Sequence, residues 1–325
     1  MNQVIWRLHR NQARFAAAAF AAVAVVIVFF GLQLAHTYHL TQTCAAWRAG
    51  GDITHWKANL CDLVPGISDY GLSRLFVMGS VVVLPGLLGL FWGVPLVAKE
   101  LEDDTNVLAW TQSVTRRRWI ATNIAWAVLA SATLGAAMSA LVSWWRVPAN
   151  ALNSRWPGFD IQGLVPVAYC VFAVALGIAA GVLLKRVLPA LAMTLGVLVG
   201  VRAAVGIFLR PHFLTPISRT VPGDLFVPTS VSLSKVWLLS ERLVDAAGYI
   251  VNRSSSASYP AACLGDLTGN QSFTSCLAAH GYRTMIVFQP DSRFWTFQAI
   301  ESALFLALAA LLVAFSYRLV IRRDA

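Results

Sequence analysis

The residues able to do chemistry in this sequence are few and far apart. Its six histidines are His9, His36, His39, His55, His212 and His280, and only His36 and His39 lie within one helical turn of each other. With no neighbouring cysteine or carboxylate to complete a metal-ligand set, that pair reads as solvated. The chain has no H-E-x-x-H zinc pattern, no G-x-S-x-G nucleophile elbow and no G-x-x-x-x-G-K-[ST] phosphate loop. Catalysis is therefore not expected of it, nor a cofactor of its own. Any ATP and Mg it depends on must be held by a different chain.

Two other constellations stand out. Four of the five cysteines fall into two local pairs, Cys44 with Cys61 and Cys263 with Cys276, while Cys170 lies alone in an apolar run. Local, even pairing suits disulfides in an oxidising compartment, and each bridge would close a loop of ~15 residues at ~3 kcal/mol. Arg202 and Glu301 are ionisable groups inside long apolar stretches, where an unpaired charge costs at least ~2.5 kcal/mol. Counted along their helices, Arg202 lies ~21 Å from one edge of its stretch and Glu301 ~10 Å from the other, depths that nearly coincide in a ~30 Å core. An Arg202–Glu301 ion pair locking two helices is expected; the alternative is that one of them faces a substrate pathway.

The elements that must position these groups are transmembrane helices. Of 325 residues, 58% are hydrophobic and only 12% charged, with twelve tryptophans, a balance far from that of a soluble domain. The net charge of +10 sits mostly at the ends of apolar stretches, where lipid head groups lie, and not on a polar domain, so a nucleic-acid partner is not expected. Six stretches reach the ~20 residues that a bilayer needs: residues 15–35, 75–98, 119–145, 164–184, 188–209 and 294–317. The first is too long for a cleaved signal peptide and reads as a retained span.

Twelve of the twenty-five Lys and Arg residues crowd into four short segments, around Arg14, Lys99 to Arg118, Lys185 and Arg322, which places both termini in the cytoplasm. The reading is an all-α integral membrane protein with six transmembrane helices. Residues 1–209 carry the first five spans, 210–293 form a small disulfide-containing extracytoplasmic domain, and 294–325 hold the last span and a cytoplasmic tail. Within the extracytoplasmic domain, apolar residues at 236, 239, 243, 247 and 250 predict a helix over 234–250, and another short amphipathic helix is expected around residues 47–60. Glycines recur four apart at 89 and 93, 177 and 181, and 196 and 200, spacing that lets helices approach closely in lipid; packing within one subunit is the expected use.

Between spans two and three lies the most polar run of the chain, VAKELEDDTNVLAWTQSVTRRRW, on the cytoplasmic side. Asp103 and Asp104 would favour a helix start through its free N–H groups, and Arg116, Arg117 and Arg118 mark the return to lipid head groups. This run resembles the region between the second and third helices of actinobacterial permeases of the type-2 ABC exporter class (type V ABC transporters), whose pattern L-A-W-T-Q-x-V-T-R-x-R-W forms a coupling helix. Near the other end, YRTMIVFQPDSRFWTFQAIESALF is similar to that group's Q-P-x-S-R-F-W-x-F-Q-x-x-E opening of the last span. Lys99 stands where Arg is usual, and Asp104 where the pattern has Gly.

The resemblance implies the transmembrane subunit of an ATP-driven exporter in the bacterial plasma membrane. Two copies, as a homodimer, would meet around a pathway, each docking one ABC ATPase subunit that supplies the ATP and Mg site. It further implies a coupling helix over residues 103–114, with Glu100, Glu102, Asp103, Asp104, Thr105, Leu108, Trp110 and Gln112 facing the ATPase. The acids would meet basic residues there, and Leu108 and Trp110 would serve as apolar anchors. The expected substrate is amphipathic or hydrophobic, such as a drug, lipid or antimicrobial peptide. The alternatives are a non-exporting sensor or immunity subunit on the same scaffold, and an ion-coupled secondary carrier.

Overall fold

The computed structural model describes residues 2–49, 57, 61, 71–102, 116–222, 235–251, 259–264 and 270–322. Six helices are long and apolar enough to cross a membrane, at Phe20–Trp47, Arg74–Gly93, Ile120–Trp145, Val165–Leu184, Val187–His212 and Asp291–Arg322. The chain divides into two compact units: Met1–Ala151 with Gly158–Arg202 and Gln298–Ala325, and Leu152–Pro157 with Ala203–Phe297.

The first unit is helical. Helix α1 (Asn2–Ala49) runs without interruption past the expected end of its span. Helix α2 (Gly71–Leu88) contains Pro85 and passes into a π-helical turn, Gly89–Gly93, before α3 (Pro95–Glu102). Helix α4 (Arg116–Trp145) follows, and a short α5 (Val147–Leu152) begins the connection to α6 (Val165–Leu184). Helix α7 (Val187–Ala204) completes this part of the chain.

Helix α6 is the centre of the unit: 83% of its apolar window is buried, against 17–33% in the other spans. Its sequence explains why. VPVAYCVFAVALGIAAGVLL is apolar on all sides, as a helix surrounded by other helices must be. It ends where Lys185 takes a left-handed turn (φ 54°) and returns its N–H to Gly181 O at 3.0 Å. Leu88, Leu96, Ile120, Ile124, Val174 and Ile178 form one buried cluster around it; Ile27, Leu34, Val77, Val81, Val142 and Trp145 form a second, joining α1, α2 and α4.

The glycine spacings do not all meet a neighbouring helix. A methyl group on Gly177 would lie 2.5 Å from Gly89 O, and one on Gly93 would lie 2.7 Å from Val174 O, so α6 and the π-helical turn after α2 touch backbone to backbone. At Gly196 and Gly200 an added Cβ would meet nothing within 4 Å.

The second unit corrects the all-α expectation. It contains a three-stranded antiparallel sheet in the order β1 (Ile217–Pro222), β3 (Arg283–Pro290), β2 (Val236–Val244). The expected helix over 234–250 is therefore wrong in its described part: Val236–Val244 is strand β2, and residues 245–250 turn back to an isolated bridge between Ile250 and Val244. A bulge between Leu238 and Ser240 shifts the pairing on β3, and the extra residue changes which face each side chain takes. Alternation is broken there, and the surviving apolar spacing imitates a helix. Central β3 alternates from Arg283 to Phe288, burying Thr284, Ile286 and Phe288, and then buries Gln289 as well. Two short helices, α8 (Ala261–Leu264) and α9 (Asn270–Ala279), precede it and are joined by the Cys263–Cys276 disulfide. Helix α10 (Phe294–Arg322) then forms the last span. Cys44 and Cys61 form the other disulfide, and Cys170 is free and buried.

Candidate functional site

Helix α10 presents Gln298, Glu301 and Phe305 at spacings of three and four residues, hence on one face, and all three are fully buried. Gln298 Oε1 accepts the N–H groups of Leu164 and Val165, each at 2.9 Å, while its Nε2 donates to Phe159 O at 2.8 Å. Helix α6 begins with Val165, so this one amide satisfies backbone donors that a helix start leaves without intrahelical partners. Glu301 Oε1 accepts from the hydroxyl of Tyr169 on α6, which also reaches Asp160 Oδ1 at 2.9 Å. The Tyr169 ring stands edge-on to Phe305, with centroids 4.7 Å apart.

Arg202 reaches the same tyrosine from another side. Its Cζ lies 4.2 Å from the ring centroid, and its Nη1 donates to Val82 O on α2 at 3.1 Å. A guanidinium over an aromatic face is attracted by the ring quadrupole, strongly so away from water. Arg202 and Glu301 thus both meet Tyr169, a residue that sequence reasoning did not single out. Tyr169 and Asp160 offered no signal, one being a lone aromatic in an apolar run and the other lying in a connection. Gln298 did sit in the F-Q-x-x-E pattern, without its role being evident.

The rest of that pattern does structural work within the second unit. Asp291 accepts from Ser154 Oγ at 3.1 Å and from the Arg155 N–H at 3.0 Å, and Arg155 Nε lies 3.7 Å from its other oxygen. Gln289 donates to Leu214 O, and Arg293 to Thr215 O and Gln289 Oε1, each at 2.8 Å.

Of the residues expected to meet an ATPase, Asp103, Asp104, Thr105, Leu108, Trp110 and Gln112 lie outside the described residues. Glu100 and Glu102 belong to the last turn of α3. Glu102 Oε2 accepts the N–H of Val187 at 2.9 Å, which ties the end of α3 to the first residue of α7. On the side of the first unit, α4, α6 and α10 enclose a groove of about 570 Å³. Its walls are almost wholly apolar and rich in alanine: Ala121, Ala125, Ala309, Ala310 and Ala314, with Tyr317 at one end.

A family model described as ABC-2 membrane transporter related matches residues 17–210, more than half of the chain. Comparison with curated proteins and with solved structures finds no match.

Proposed function

Because the chain belongs to the ABC-2 membrane transporter related family, we propose that it is the membrane-spanning subunit of an ATP-driven exporter of amphipathic or hydrophobic compounds, worked by a separate ABC ATPase. The family match carries this reading, for it runs from the first span to the end of the fifth. Two copies of the chain and two ATPase subunits make up the working complex, with both termini of each chain in the cytoplasm.

In this proposal, residues 103–114 sit in a cleft of the ATPase, with Leu108 and Trp110 as anchors and Glu100, Asp103 and Asp104 opposite basic residues. The Glu102 bond to Val187 supports a mechanical route: motion at the end of α3 is passed to α7 as well as along α2. The alanine-lined groove supports an apolar substrate, since it offers contact surface and almost no polar group to satisfy.

The test is co-expression with candidate ABC ATPases, followed by copurification and measurement of ATP hydrolysis. Trp110→Ala should lower hydrolysis in the complex, and deletion of residues 103–114 should abolish assembly. Normal assembly and hydrolysis after that deletion would refute the coupling role.

A further inference from the structure

Arg146 follows the third span directly and is only 5% exposed. Its guanidinium packs against Gly158, where an added Cβ would come within 2.6 Å of Cζ. Its Nε donates to Asn150 Oδ1 at 3.3 Å, and Asn150 Nδ2 in turn donates to Gln162 Oε1 at 2.9 Å. This cage is made of neutral groups. It holds the guanidinium at Nε but supplies no negative charge, and among the described residues Arg146 has no acidic partner.

A buried cation without a counter-ion is costly, and here the cost is raised further. Burial and the nearby Arg74 together push the Arg146 guanidinium down to about 10. Arg74 lies at the start of α2, exposed and one turn before Val77, which packs with Val142 and Trp145 of α4 in one cluster. Trp145, next to Arg146, carries a buried indole N–H with no acceptor. The neighbouring ends of α2 and α4 therefore collect positive charge and orphan donors without a matching acceptor. Beside them, Leu75, Phe76, Trp144 and Val147 expose apolar side chains.

We propose that Arg146 and Arg74 bind the phosphate of an amphiphile, whose chains lie along the exposed apolar residues at this end of α2 and α4. A guanidinium presents paired N–H groups in a fork that fits two oxygens of one phosphate. The Nη groups of Arg146 make no hydrogen bond among the described residues, so the fork is available, and Arg74 supplies the second charge. A free phosphate would satisfy the same donors but gain nothing from the apolar surround.

The experiment is native mass spectrometry of the full chain in detergent, titrated with dioctanoyl phosphatidylglycerol, with inorganic phosphate as a competitor. One lipid should bind per chain. Arg74→Gln should weaken binding about fivefold, the effect of one surface arginine near a lipid phosphate, and Arg146→Gln by about tenfold or more. Millimolar inorganic phosphate should not displace the lipid. Unchanged binding in Arg74→Gln overturns the proposal, and displacement by inorganic phosphate overturns the amphiphile in favour of a free anion. Arg74 is exposed, so its variant keeps the fold, which an unchanged melting temperature verifies. If Arg146→Gln does not fold, Arg146→Lys takes its place: it keeps the charge, loses the fork, and should still bind less than the wild type.

Discussion

Adding one methyl group at Gly177 tests how α6 and the π-helical turn after α2 are held together. The new Cβ would lie 2.5 Å from Gly89 O, 3.0 Å from Val94 N and 3.1 Å from Gly93 C. All three are backbone atoms, so no side chain can rotate out of the way. Since carbon and oxygen ordinarily approach to about 3.3 Å, the helices must part locally by roughly 0.8 Å. A gap of that size forfeits about a quarter to a half of each dispersion contact along the seam, and overpacking of this kind costs about 1–3 kcal/mol. Alanine also gains about 1 kcal/mol of helix propensity over glycine, which a control must remove. Gly196→Ala is that control: it carries the same gain and meets nothing within 4 Å. At about 2–4 °C per kcal/mol, Gly177→Ala should melt about 2–12 °C below Gly196→Ala. The assay is the apparent melting temperature of each purified variant in one detergent at one scan rate, because membrane proteins often unfold irreversibly. If Gly177→Ala melts at or above Gly196→Ala, the backbone contact between α6 and the π-helical turn is not as described.

Gln298→Ala should destabilise by about 2 kcal/mol or more, because it strands the buried Val165 donor and the buried Phe159 acceptor at about 1–3 kcal/mol each and also frees the part-buried Leu164 donor; thermal unfolding reads this directly. Arg202→Met and Glu301→Gln should be non-additive, since both partners act on Tyr169. The double variant and the same cycle in a Tyr169→Phe background measure how much of that coupling the hydroxyl carries. Serine at both Cys263 and Cys276 should weaken the ordering of α8 and α9 by about 3 kcal/mol, as expected for a loop of this length, visible as faster proteolysis between residues 260 and 280.

Much of the helical layout was legible because long apolar runs have few alternatives. The ends of the spans at residues 145 and 184 coincide in sequence and structure, where Arg146 and the pair Lys185 and Arg186 end the apolar runs. The use of Gly89, Gly93 and Gly177 was also readable, as spacing alone names the residues that permit close approach. The sheet was hidden for a local reason, the bulge after Leu238 that breaks the two-residue alternation of β2. Arg202 and Glu301 announced themselves as charges in apolar surroundings. Tyr169 did not, because a buried aromatic looks the same whether its hydroxyl is idle or bonded. Arg146 was equally silent: an arginine at the end of a span is ordinary in sequence, and only its burial against Gly158 sets it apart.

Helix α1 has a consequence of a different kind. Arg14 and Cys44 stand on the same unbroken helix, thirty positions apart, which is about 45 Å at 1.5 Å per residue. That exceeds the ~30 Å of hydrocarbon in a bilayer, so a helix that crosses upright over residues 15–35, the span expected from sequence, would hold the two in separate aqueous compartments. In that arrangement the Cys44–Cys61 bond would mark sidedness: a reductant that cannot cross the membrane would reach it from one bath only. A label on the N-terminal segment would answer only from the other.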